Sequence, residues 1–133
     1  MGWLSVVSLV LALLSLGVAA GMWQAAKRSL TYQALADIMR DYAKDDMAKD
    51  VHTLWSFYRD HCHEDSEIVG REFSRLLDNS TDSDVTKARR RVSHFYQRVA
   101  ALYAGGVLPD KVVYRHWSKD DLSIIPKIIV PLE

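Results

Sequence analysis

Twenty-two residues without a charge, Gly2 to Trp23, open this chain and are built mostly of Leu, Val, Ala, Ser and Gly. A helix rises about 1.5 Å per residue, so such a run is long enough to cross the roughly 30 Å hydrocarbon core of a bilayer. Trp3 and Trp23 bracket it, where amphipathic rings favour the two headgroup zones, and Lys27 and Arg28 follow closely. Nothing basic precedes the run. The positive-inside bias therefore predicts an N-terminus outside and the chain from about Gln24 onward in the cytoplasm. Two other readings stand beside the membrane span. Val18-Ala19-Ala20 has the small residues of a signal-peptide cleavage site, without the basic start such peptides carry. A core helix would need cover from other elements on all sides. Gly17 and Gly21 have the small-xxx-small spacing through which two spans can pack closely.

All 17 basic and all 17 acidic residues lie beyond residue 26. The expected organisation is thus an anchor over residues 1–26 and one domain over 27–133, large enough for a modest core. The domain is formally neutral, which counts against nucleic acid as a partner. Cys62 is the only cysteine, so no intrachain disulfide can form, as suits a reducing cytoplasm. Asn79-Ser80-Thr81 fits the glycosylation acceptor pattern, which matters only if the domain is lumenal.

Periodicity predicts an all-α fold, with the anchor helix continuing into a small cytoplasmic helical bundle. From Gln24 to Ala43 no Pro or Gly interrupts, and Leu30, Ala34, Leu35, Ile38, Met39 and Tyr42 recur at helical spacing. Asp37, Arg40, Asp41 and Lys44 fall on the other face as solvated charges. Asp45 and Asp46 start a second helix running to about His61, with Met47, Val51, Leu54 and Tyr58 as its apolar stripe and Ala48 and Trp55 beside it. A third, about Ser66 to Leu77, buries Val69, Phe73 and Leu76. Asp78 to Ser83 is a polar turn. The fourth helix has the most regular seam, Val85, Ala88, Val92, Phe95, Val99 and Leu102, and Gly105-Gly106 ends it with a left-handed cap. Pro109 opens a short helix, Asp110 to His116, leading into Trp117. Ser118 and Asp121 form a capping box with Asp in place of Glu, Pro126 kinks or interrupts the helical path after Ile125, and the apolar end packs on the bundle or a partner.

The run Arg89-Arg90-Arg91-Val92-Ser93-His94-Phe95-Tyr96-Gln97-Arg98-Val99-Ala100, followed by Leu102-Tyr103, Gly105-Gly106-Val107-Leu108 and Val112-Val113-Tyr114, resembles the small bacterial membrane-anchored proteins grouped as domain of unknown function 4760. His94 stands where that pattern has Asn. The resemblance implies an N-terminal span, a helical domain and a bacterial inner membrane. It transfers no catalytic residue.

Three constellations bear on chemistry. Arg89 and His94 have the Arg-x4-His spacing that resembles the ribonuclease motif of HEPN domains, yet five helical residues set them roughly 140° apart. His61 and His63, around Cys62, offer metal donors, but adjacent helical residues diverge and the paired spacing of zinc sites is missing. A polar helix end accounts for them equally. Lys87, Arg89, Arg90 and Arg91 crowd the positive end of the fourth helix, an unfavourable placement unless acids such as Asp82 and Asp84, anionic lipid headgroups or a phosphorylated ligand offset it. No cofactor motif is present, and no arrangement identifies a reaction. The expected function is a single-span membrane protein whose domain binds a partner protein or itself, the alternative being a membrane-tethered, HEPN-like ribonuclease.

Overall fold

The first apolar residues and the first residues of the folded domain belong to one helix. A computed structural model describes residues 2–61, 66–79 and 83–133, and in it α1 runs unbroken over Gly2–Tyr42, 41 residues. It is long and apolar enough to cross a membrane, and no residue of its apolar stretch is buried. The core-helix alternative fails on that point, because among the described residues nothing covers Leu11, Leu14 or Leu16. The character of α1 changes at Thr31. From there Leu35, Met39 and Tyr42 are half-buried and Ile38 is in the core, so the last three turns form a wall of the domain.

Every regular element among the described residues is helical: α2 (Asp45–His61), α3 (Ser66–Asn79), α4 (Asp84–Ala104), α5 (Asp110–His116) and α6 (Lys119–Leu122) follow α1. α2 and α4 make the most extensive helix contact. Phe95 of α4 is central, with ring contacts to Tyr42 (5.5 Å), Tyr96 (5.2 Å) and Trp117 (6.4 Å). The expected α4 seam is found with Ala88, Val92, Phe95 and Val99 buried and Val85 and Leu102 at its edges. Ser83 caps the helix, its Oγ accepting from the Thr86 amide.

The α2 face differs from the sequence expectation. Asp50, Leu54 and Phe57 are its buried residues, while Met47, Val51 and Tyr58 are half-buried. At 100° per residue this is a roll of about 60°. The roll has a visible cause on each side: Arg91 of α4 meets Asp50, and Trp55 and Tyr58 satisfy one another edge to face at 5.7 Å on the flank.

The turn after α4 determines how the domain meets α1. Gly106 adopts φ +71°, the left-handed conformation that costs other residues about 1–2 kcal/mol. The Gly106 amide donates to Tyr103 O and the Val107 amide to Leu102 O, a Schellman motif that turns Val107 back over the helix. The Val107 carbonyl then accepts from Thr31 Oγ1 at 2.8 Å, fastening the turn to α1. Together with Asp41 against Arg98, this contact shows α4 running back alongside α1 in the opposite direction.

The Ser118–Asp121 capping box forms as expected. Pro126 does not end the helical path. It lies in a π-turn, Ile125–Ile129, closed by a hydrogen bond from Val130 N–H to Ile125 O, and the ordinary i to i−4 bonding resumes directly after the proline with Lys127 N–H to Ser123 O. A 3₁₀ turn, Val130–Leu132, completes the chain, burying Ile128, Ile129 and Leu132 beside α3. The apolar end thus packs on its own domain, and Ser93 Oγ donates to Glu133 Oε1 at 2.6 Å.

Candidate functional site

The basic residues at the start of α4 go to different neighbours because each helical step turns 100°. The Arg89 guanidinium lies over the Phe73 ring of α3, 5.4 Å from its centre. Arg91 faces α2, its Nη2 donating to Asp50 Oδ1 at 2.9 Å with Nε 2.7 Å from Oδ2. Lys87 is also engaged with a neighbour, and Arg90 is exposed. Arg89 is thus parted from the other three, which are exposed within about 100° of arc on the helix. Asp82, a candidate balancing acid, lies outside the described residues.

Arg89 and His94 do not converge. Since α4 is unbroken across them, Arg89 lies against α3, whereas His94 lines a groove of about 300 Å³ with Asp41, Lys44, Asp50 and Arg98. His61 stacks on Phe57 at 4.5 Å, with Nδ1 3.0 Å from the Phe57 carbonyl. His63 and Cys62 lie outside the described residues, as do Ser80 and Thr81 of the polar turn. Among the described residues no group of three His, Cys, Asp or Glu is placed to hold a metal.

Two carboxylates in the groove respond to their surroundings in opposite senses. Lys44 donates to Asp41 Oδ1 and Arg98 to Oδ2, each at 2.7 Å, and these bonds hold the Asp41 carboxyl below the usual aspartate value. Burial raises the Asp50 carboxyl above that value, outweighing the pull of Arg91. The Asp41 contribution to stability is therefore present above the unfolded value of 3.8 and lost as pH falls. The Asp50 contribution runs the other way, declining as pH rises from that value through the raised one. Arg91→Leu, which leaves a buried carboxylate without its cation, should cost on the order of 1–3 kcal/mol at pH 7. At pH 4 the cost should shrink, because Asp50 can take up a proton. Urea unfolding of the two proteins at both pH values checks this. An equal loss at pH 4 and pH 7 would show that Asp50 does not carry it.

Two further clefts flank α1 beneath the Schellman turn. The smaller, about 190 Å³, is lined by Trp23, Lys27, Leu30 and Gly105 to Val107. The larger, about 390 Å³, lies between Lys27, Arg28 and Tyr32 on α1 and Pro109 and Val112 at the start of α5. Thr31 borders both, and Lys27 is shared. In sequence, Lys27 and Arg28 register only as an orientation signal. Their participation in a cleft depends on Pro109 and Val112, about eighty residues away.

No protein-family model, curated protein or solved structure matches the chain.

Proposed function

We propose that the protein is a single-span membrane protein without catalytic activity, whose helical domain is an interaction module held at the cytoplasmic face of a bacterial inner membrane. The observation that carries this reading is the division of α1. Its apolar half has no cover among the described residues, while its last three turns belong to the domain core. Uncovered Leu and Val over that length call for lipid, and a continuous helix fixes the domain directly above it. Lys27 and Arg28 at the junction give the orientation by the positive-inside bias. Membership of the domain of unknown function 4760 family is part of the same proposal, and nothing about the placement of Arg89 and His94 favours the ribonuclease alternative.

Crosslinking in native membranes, with purification of the tagged full chain, tests the module. A discrete adduct, of the chain with itself or with one other protein, is the expected outcome, together with no cleavage of RNA by the purified chain. RNA cleavage lost in both Arg89→Ala and His94→Ala would replace this reading with the enzymatic one.

A further inference from the structure

The larger cleft beside α1 has the position and chemistry of a lipid site. Its two cations, Lys27 and Arg28, are exposed, and among the described residues neither makes an ion pair. Its other wall, Pro109 and Val112, is apolar. The turn above offers no spare donors near its tip: the amides of Gly105, Gly106, Val107 and Leu108 are all bonded to carbonyls of α4, and Thr31 Oγ1 is bonded to Val107 O. The positive charge that an entering anion meets is that of Lys27 and Arg28, with the Gln24 amide and the Tyr32 hydroxyl as the neutral donors of the lining. Heights along α1 place the lower edge of the cleft, at Lys27 and Arg28, in the headgroup layer. Taking Trp23 at the hydrocarbon boundary, Lys27 is about 6 Å and Thr31 about 12 Å above it, while the headgroup zone of one leaflet is roughly 5–8 Å deep. The Val107 turn overhangs this layer as a ledge.

The basic cluster of α4 lies elsewhere. Asp41, which pairs with Arg98, is about 27 Å beyond Trp23, and Arg91 is a further 10 Å or so along α4 in the same direction. Those cations are at the end of the domain away from the apolar half of α1.

We propose that the cleft between Lys27, Arg28, Pro109 and Val112 binds an anionic phospholipid of the adjoining leaflet, its phosphate between the two cations, its headgroup reaching up toward Pro109 and Val112 and its acyl chains descending along the uncovered face of α1. The proposal rests on α1 spanning the membrane. The ligand is a leaflet lipid rather than free phosphate because the helix directly below the two cations is an uncovered apolar face, with Met22 and Trp23 exposed.

The test uses the full chain in nanodiscs of phosphatidylcholine containing phosphatidylglycerol, with native mass spectrometry after release counting the phosphatidylglycerol retained. Symmetric nanodiscs make the result independent of topology, and recovery of the chain in the nanodisc fraction reads the membrane-span proposal separately. The parent should retain phosphatidylglycerol over phosphatidylcholine. Lys27→Gln with Arg28→Gln should lower that retention by an order of magnitude or more, since a basic residue near a membrane surface contributes about 1 kcal/mol. Val112→Glu, which keeps both cations but places a carboxylate in the cleft, should have a similar effect with the helical circular dichroism unchanged. Arg89→Gln with Arg90→Gln should have none, and inorganic phosphate at roughly the millimolar levels of a cell should not compete. Retention unchanged in Lys27→Gln with Arg28→Gln overturns the site. Retention lost there but kept in Val112→Glu overturns the cleft in favour of charges on a bare helix, and competition by phosphate overturns the lipid as ligand.

Discussion

Phe95→Ala should cost the domain about 3–5 kcal/mol, a large share of what holds a domain of this size together. Phe95 is 4% exposed, and it is the residue at which three parts of the chain meet: Tyr42 from α1, Tyr96 from its own helix and Trp117 from the segment after α5. Truncation removes those ring contacts and leaves a cavity that rigid neighbours such as Trp117, 1% exposed, can fill only in part. Pulse proteolysis of the full chain in mild micelles across a urea series reads the loss. Tyr114→Ala, at a ring 70% exposed, is the matched control and should change stability by no more than about 0.5 kcal/mol. A midpoint for Phe95→Ala equal to the parent's would mean that the aromatic junction does not support the core.

Leu11→Arg combined with Leu14→Arg should release the chain from the membrane without unfolding the domain. Each arginine at the centre of a spanning helix costs about 2.5–3.5 kcal/mol, so the pair removes roughly 5–7 kcal/mol of insertion free energy. Both leucines are 61% exposed, and the core draws nothing from residues before Leu35. Alkaline extraction of membranes should accordingly find the parent in the pellet and the double variant in the supernatant, with the urea midpoint of the domain preserved. A double variant that stays in the pellet would contradict placement of this stretch in lipid. Loss of the domain's unfolding transition would contradict the separation between anchor and core.

Much of this architecture was legible from local rules. Helix α4 was readable because its buried positions repeat at three and four residues and its ends carry a serine cap and a glycine turn, signals that depend on the local chain alone. The α5 start at Pro109 and the Ser118 capping box were readable for the same reason. The α2 face was not, since Asp50 counts as polar until Arg91 arrives from a helix forty residues away. A carboxylate three residues after Met47 and four before Leu54 was the available signal, and it marks a buried position only when a cation is found to meet it. Pro126 was legible as an interruption, but whether the chain breaks or widens into a π-turn is decided by the burial of Ile128 and Ile129 within the new hydrogen-bonded loop. Of the four basic residues clustered in the α4 sequence Arg89 turns away onto α3, while Lys27 and Arg28, two residues with no motif around them, come to line a cleft because Gly106 turns Val107 back onto Thr31. Lipid recognition, partner binding and any reaction all depend on such distant pairings, which local periodicity does not encode.

Thiol labelling of single cysteines in a Cys62→Ser background tests most directly the claim that α1 crosses a membrane with the domain on the Lys27 and Arg28 side. Gly2→Cys reports the start of α1, and Asn79→Cys, at the exposed end of α3, reports the domain without disturbing the core. On intact cells an impermeant maleimide should label Gly2→Cys, and it should label Asn79→Cys only after the membrane is opened, with both residues on a chain of full mass. Labelling of Asn79→Cys from outside, or a mature chain that has lost Gly2, would contradict the account.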